Sequence, residues 1–272
     1  MELLLSPFRG LGSLKIEPIM KTLFLLIAVF FLAYISNAQN VNIPDTAFLH
    51  ALIDEGVDIN SDSLISYAEA EAVTSLDVGI EIYCGWWSGC TPRGNIYNLT
   101  GIEAFINLDS LNIEGNRIEY LDLSENINLL YLNCAYNSLP NLNVSENAIL
   151  QSLICYRNQL TALDVSNNLD LEYLSCYLNS LTSLDVSGCA ALIELSCSGN
   201  QLTSLDVSGC IKLKHLICGC CGRCISNQLT SLDVSGCTAL EYLNCRCNCL
   251  TSLDVTGCTA LTELICGDNQ LT

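Results

Sequence analysis

Leu229 to Cys245 reads "LTSLDVSGCTALEYLNC", and nearly the same words stand at Leu202, "LTSLDVSGCIKLKHLIC", and at Leu250, "LTSLDVTGCTALTELIC". Aligning the chain on itself gives a period of 21 residues with the pattern L-x-x-L-x-C-x-x-N-x-L-x-x-L-D-V. Its first leucine falls at Leu108, Leu129, Leu150, Leu171, Leu192, Leu213, Leu240 and Leu261; the step from Leu213 to Leu240 is 27, a six-residue insertion. Self-similarity of this length signals a solenoid, because one turn of chain cannot bury its own leucines and successive turns must stack to bury them jointly.

The core L-x-x-L-x-L-x-x-N-x-L is the leucine-rich repeat pattern. The expected fold is an α/β-type repeat solenoid of mostly strand and loop: an arc with a parallel sheet on its concave face and a small helical cap at the N-terminal end. Tyr131-Leu132-Asn133-Cys134-Ala135 alternates as a strand does, which sends Leu132 and Cys134 inward and Tyr131, Asn133 and Ala135 to the open face. Neighbouring turns then sit about 4.8 Å apart. Asn116, Asn137, Asn158, Asn179, Asn200, Asn227, Asn248 and Asn269 form an inward column whose amides can satisfy backbone groups where each strand turns away. A short extended "SLDV" closes each turn on the opposite side.

A cysteine recurs at one core position: Cys134, Cys155, Cys176, Cys197, Cys218, Cys245 and Cys266, with Ile113 in the first repeat. A free thiol packs as a small hydrophobe. Adjacent turns are close enough for a disulfide, but in-register parallel strands aim their side chains alike rather than at each other. The expectation is a reduced, packed ladder, with a disulfide or metal stack as its alternative. In a second column Asn126, Asn147 and Asn168 give way to Cys189, Cys210, Cys237 and Cys258, so that place needs something small and modestly polar.

The array resembles the 21-residue bacterial leucine-rich repeats of secreted surface proteins, including the internalin family member whose repeats carry a cysteine ladder. It is also similar to "LTSLDVSGCTAL" arrays of exported proteins in Bacteroidetes-type bacteria. The resemblance covers about residues 95–272. It implies extracellular binding or adhesion, whereas the spacing implies only a solenoid.

Composition narrows the partner. The 272 residues carry 29 acidic and 10 basic side chains, a net charge of −19, and 18 cysteines. Such a chain repels phosphates and offers no basic stripe, so nucleic acid is excluded as a partner. From Met20, "MKTLFLLIAVFFLAYISNAQN" has a basic residue, an apolar run and a small-x-small site at Ser36-Asn37-Ala38, the signature of a secretory signal peptide. The run is short for a membrane span, so no permanent span is expected after cleavage. The domain reading is therefore 1–19 as a mis-assigned start, 20–38 as signal peptide, 41–75 as a helical cap, 76–104 as a linker or degenerate first turn, and 105–272 as about eight repeats. The array stops in mid-repeat, which reads as a longer chain cut short. The expected location is secreted, extracellular or at the cell surface.

Pro44-Asp45 followed by Phe48, Leu49, Leu52 and Ile53 predicts an amphipathic helix. Next comes a loop similar to an EF-hand: Asp58, Asn60 and Asp62 at positions one, three and five, Leu64 at the carbonyl position, Ser66 at nine and Glu69 at twelve. Hard oxygens at alternate positions suit calcium, although Ser63 replaces the glycine of the sharp turn. The competing reading is a metal-free helix–loop–helix, and no cofactor is required by either. Cys84 and Cys90 flank "GWWSG" and are candidates for a loop disulfide. In the insertion, Cys221-Gly-Arg-Cys224 has zinc-like spacing, but lacks a second clean pair, so a loop disulfide of Cys221 or Cys220 with Cys224 or Cys247 is preferred. The aspartates of "LDV" (Asp122, Asp164, Asp185, Asp206, Asp233 and Asp254) are read as a solvated acidic face.

No catalytic constellation is present: His50 and His215 sit in no nucleophile or metal motif, and no phosphate loop appears, so the chain is not read as an enzyme. The expected ligand surface is the open sheet face, where Tyr131, Tyr156, Tyr173, Tyr177, His215, Tyr242 and Arg246 gather side chains favoured in recognition. A protein or a glycan suits such a row. The alternative role is a rigid acidic spacer presenting another module.

Overall fold

Residues 39–80, 94–220 and 226–272 are described by a computed structural model of the chain. Residues 1–38, expected to hold a mis-assigned start and a signal peptide, and Cys84, Cys90, Cys221 and Cys224 lie outside the described residues. Val41–Thr272 forms one compact unit.

Asp45 opens the unit's first helix, α1 (Thr46–Asp54), by accepting from the Ala47 and Phe48 N–H groups at 2.9 and 3.2 Å. Its second carboxylate oxygen accepts from Tyr97 and Asn98 at 2.8 and 3.0 Å, which pins the helix start to the segment entering the array. Burial opposes the charge, but these four N–H bonds outweigh it and hold the carboxyl below its usual range. Phe48 and Leu52 are fully buried, one helical turn apart, as the apolar spacing predicts. The second helix, α2 (Tyr67–Ala72), starts with a capping box in which Ser66 and Glu69 exchange hydrogen bonds.

After the cap the chain winds. A nine-stranded parallel sheet has the order β1 (Ser75–Asp77), β2 (Ser110–Asn112), β3 (Tyr131–Asn133), β4 (Ser152–Ile154), β5 (Tyr173–Ser175), β6 (Glu194–Ser196), β8 (His215–Ile217), β10 (Tyr242–Asn244) and β11 (Glu263–Ile265). Register makes Ser110, Tyr131, Ser152, Tyr173, Glu194, His215 and Tyr242 direct neighbours, so each rung advances by one repeat. β1 begins at Ser75, the last residue assigned to the cap, and runs into the stretch expected as a linker or degenerate first turn, where Leu76 pairs with Leu111. On the opposite side, among the described residues, the "SLDV" segments form one regular pair, β7 (Ser204–Asp206) with β9 (Ser231–Asp233).

Between the two sides lies the leucine spine. Leu129, Leu132 and Leu139 of one rung, and Leu150, Leu153 and Leu160 of the next, are all fully buried. Each such side chain contributes about 1.5–3 kcal/mol on leaving water. Ordering the backbone costs about 1–2 kcal/mol per residue, so a rung is stable only when its neighbours complete the burial. At the last rung Leu264 is 39% exposed, against 0% for the equivalent Leu243.

The asparagine column does what its position predicts. Asn158 accepts from the Leu139 N–H at 3.0 Å and donates to Cys134 O at 2.9 Å and Cys155 O at 3.1 Å. Asn200 and Asn227 repeat the arrangement on later rungs. One amide thus ties the ends of two successive strands. The second column serves the far side: Asn168 donates to Val144 O at 3.1 Å, and Cys210 and Cys237 aim their thiols at Val186 O and Val207 O, at 3.4 and 3.1 Å.

The "LDV" aspartates are turn formers. Asp164, Asp185, Asp206, Asp233 and Asp254 each accept from the N–H two residues on at 2.9 Å. These short loops satisfy the backbone where the rung reverses. Hydrogen bonds from the following serine or threonine hold Asp122, Asp164, Asp185, Asp233 and Asp254 below the ordinary carboxylate range.

Candidate functional site

The open face of the sheet is built from three positions per rung. The first strand residue gives the row Ser110, Tyr131, Ser152, Tyr173, Glu194, His215, Tyr242 and Glu263. Four residues further along each rung stand Glu114, Ala135, Tyr156, Tyr177, Ser198, Gly219, Arg246 and Gly267. The position after that takes left-handed backbone in rung after rung, at Gly115, Tyr136, Arg157, Leu178, Gly199, Cys247 and Asp268. At Tyr136 this turn sets the residue's own ring against Tyr156 on the open face, while the residue after it, Asn137, enters the buried asparagine column.

The expected ligand residues separate into three groups. In the first, Tyr156 and Tyr177 stack with ring centroids 4.3 Å apart and planes 8° apart, and Tyr136 meets Tyr156 edge-on at 5.3 Å. Arg157 lies over the Tyr136 ring at 5.1 Å. Each aromatic pair contributes about 0.5–1.5 kcal/mol beyond its area. The Tyr156 hydroxyl donates to Glu114 Oε1 at 3.0 Å, and Asn133 Nδ2 donates to Glu114 Oε2 at 2.8 Å. Burial, then Glu114, pushes the Tyr131 phenol up; burial, then Tyr177 and Glu114, does the same at Tyr156. Tyr177 is pushed up to about 12, chiefly by burial. All three therefore stay neutral hydroxyl donors at neutral pH.

In the second group His215 Nδ1 lies 3.1 Å from Glu194 Oε1, and its ring meets Tyr242 edge-on at 6.3 Å. In the third Arg246 binds Asp268 through Nη2 at 2.7 Å and Nε at 2.8 Å. Tyr131 and Tyr173 stand in the strand row beside the first group, half-buried.

Two expectations for this face need correction. Asn133 and Ala135 do not line open surface; they are 5% and 0% exposed. The Tyr156–Glu114 bond runs between rungs on either side of Ala135 and roofs it, while Asn133 is covered by the carboxylate it binds. Glu114 and Tyr136 belong to the site but are absent from the expected set. Column alignment could have found Glu114, which shares its place in the repeat with Tyr156 and Tyr177. Tyr136 owes its position to the left-handed residue, which strand alternation does not reveal.

The cap loop keeps the backbone of the calcium-loop pattern. Asp58 accepts from the Asp62 and Ser63 N–H groups at 3.2 and 2.9 Å, and Ser63 adopts φ 66°, the conformation a glycine would supply. Asn60 accepts from Asp62 at 2.8 Å, and Asp62 from Leu64 at 2.9 Å. Glu69 points its oxygens at the protein itself: Oε1 accepts from Ile59 and Asn60 at 3.0 and 3.3 Å, Oε2 from the Ser66 N–H and hydroxyl at 2.8 Å. Burial disfavours its charge, and these bonds outweigh it, so its carboxyl is held low. Among the described residues no three His, Cys, Asp or Glu side chains are grouped to hold a metal.

The ladder thiols carry no disulfides. Cys134, Cys155, Cys176, Cys197 and Cys218 are fully buried, and burial pushes their thiols up, to about 12 at Cys134 and Cys176. A thiol in that state is inert packing. Among the described residues no helix is long and apolar enough to cross a membrane.

No family model matches the chain, and no curated protein matches its sequence. Solved structures do. The functional domain of InlJ from Listeria monocytogenes, which includes a cysteine ladder, is 34% identical over 84% of this chain and 51% of that one, with a TM-score of 0.60. A leucine-rich repeat protein of Leptospira interrogans is 27% identical over 63% of this chain and 46% of that one, TM-score 0.57. Internalin C2 of Listeria monocytogenes matches at 21% identity over 87% of this chain and 92% of that one, TM-score 0.56, a likeness of fold alone. This chain thus spans about half the length of the first two proteins. Stacked parallel rungs, a buried leucine spine and these likenesses make the fold a leucine-rich repeat solenoid, similar to internalin-type proteins and to one of them in its column of buried cysteines.

Proposed function

We propose that the chain is an exported, non-catalytic binding module that holds a protein partner against the concave face of its sheet, in the manner of adhesion proteins. The observation that carries this reading is the tyrosine group at Tyr136, Tyr156 and Tyr177, flanked by Tyr131 and Tyr173. Half-exposed aromatic rings held in fixed stacks present large contact area with little entropy left to lose. Their hydroxyls and the Glu114 carboxylate add directional bonds. Export rests on the signal-peptide pattern of residues 20–38, and the likeness to internalin-type proteins supports a surface or secreted setting.

A panel of purified extracellular proteins and a glycan array, probed with the full chain and with a Tyr156→Ala/Tyr177→Ala variant, tests this. The expected result is a protein ligand that the variant loses by tenfold or more while its thermal midpoint stays within a few degrees. A ligand retained by the variant, or none at all, favours the rigid spacer, and a glycan-only signal moves the partner to carbohydrate.

The cap loop supports a second reading, a weak calcium site. Its favouring observation is Ser63 in the left-handed region with Asp58 bonded to the Asp62 and Ser63 N–H groups, so the missing glycine has not destroyed the loop. Asp58, Asn60, Asp62, the Leu64 carbonyl, Ser66 and Glu69 would supply the oxygens.

A further inference from the structure

Cys220 and Cys247 stand apart from the buried ladder. They occupy the same place in successive rungs, on either side of the six-residue insertion. Sheet register leads into the pair, since Leu216 faces Leu243 and Ile217 faces Asn244. The Cys220 N–H then donates to Arg246 O at 3.1 Å. The two backbones run so close here that a Cβ on Gly219 would overlap the Arg246 backbone. Parallel neighbours about 4.8 Å apart fall inside the Cα separation that a disulfide spans.

Closeness alone would apply to the ladder as well, but there the thiols do not bond to one another. Cys218 Sγ, for example, donates to Asn244 O at 3.6 Å. Cys247 differs. It sits in left-handed backbone at φ 57°, its thiol donates to Asp268 Oδ2 at 3.7 Å, and the neighbouring Cys220 thiol, then burial, push it up to about 11. Cys220 is buried and Cys247 partly exposed, so Cys247 is the thiol that a dissolved disulfide reaches, and its raised pKa slows the exchange without barring it.

We propose that Cys220 and Cys247 form a disulfide that staples the two rungs at the insertion, made by exchange with an external disulfide. The Cys247 thiolate attacks that reagent, forming a mixed disulfide and releasing one thiol. Cys220 then attacks the Cys247 sulfur, forming the S–S bond and releasing the second thiol. Two protein thiols are oxidised and one external disulfide is reduced to two thiols, both protein protons ending on the leaving sulfurs or in water. The staple closes the one rung longer than its neighbours, where the extra chain gives the unfolded state most freedom.

The full chain is equilibrated with oxidised glutathione, alkylated without denaturant, digested and mapped by mass spectrometry. The expected digest contains a peptide pair joined through Cys220 and Cys247, two hydrogens lighter than the two reduced peptides together. Its thermal midpoint lies above that of the reduced chain, and Cys247→Ser abolishes that gain. Recovery of Cys220 in alkylated form, or joined to Cys221, Cys224 or Cys249, overturns the proposal. The mapping is done on the unaltered chain, so the outcome does not depend on how the variant folds.

Discussion

At the residue scale, two columns of asparagine look alike in sequence and differ in how completely they are satisfied. In the strand-end column all three amide functions are used: Asn200 accepts from Leu181 at 3.0 Å and donates to Cys176 O and Cys197 O. In the far column Asn126, Asn147 and Asn168 use only the NH2, and no protein donor reaches their buried Oδ1 atoms. An orphaned buried acceptor costs about 1–3 kcal/mol, which offsets most of what the two donated bonds contribute. A thiol at that place keeps one donor toward the same carbonyl and carries no orphan, which is why Cys210 and Cys237 substitute there. Asn168→Cys should therefore change stability by less than about 1 kcal/mol, whereas Asn200→Cys, which strands the Leu181 N–H and two carbonyls, should cost about 3 kcal/mol or more. Urea unfolding of the two variants decides it, and equal losses would refute the distinction. Interchange of asparagine and cysteine was visible in the repeats. The orphaned oxygen was not, because it depends on which backbone groups the neighbouring rung presents.

At the element scale, strands and rungs were legible and local closures were not. Apolar alternation around Leu132, repeated in register, is enough to place the eight strands of the repeats, whereas β1 (Ser75–Asp77) falls where the cap was expected to meet a linker and was not read as a strand. Left-handed corners were half-legible: Gly115 and Gly199 announce them, but Tyr136, Arg157 and Leu178 hold the same conformation, imposed by the rungs above and below. The cap loop shows the same tertiary override at Ser63. Calcium there must compete with the protein, because Glu69 leaves its bonds to Ile59 and Asn60 before it can ligate. Affinity should then fall in the weak range of extracellular modules, about 10⁻⁴–10⁻³ M. Calorimetric titration of the full chain is expected to show one calcium bound in that range and none after Asp58→Ala/Asp62→Ala. Absence of heat and of any rise in thermal midpoint at ten times that concentration would leave the loop a metal-free helix connector.

At the scale of the whole molecule, nearest-neighbour stacking makes stability a sum of rung and interface terms, so opening should begin where a rung has one neighbour. The thiol ladder reports this directly, one sulfur per rung. Cys266 lies in the rung where Leu264 is exposed, and it is itself partly exposed; Cys245 has a rung on each side and is fully buried. Further in, Cys176 and Cys155 are fully buried and reach solvent only if several interfaces part. Burial also suppresses the reactive thiolate, raising Cys245 to about 11 and Cys176 to about 12. Alkylation of the folded 272-residue chain in mild urea, followed by mass mapping, should give rates in the order Cys266, Cys245, Cys218, then Cys176 and Cys155. The slowest of these should track the global unfolding free energy, and Cys266 should hardly depend on urea. Uniform rates along the ladder would mean that the array opens as a single cooperative block, and the interface terms between rungs would then have to be far larger than the stability of any rung alone.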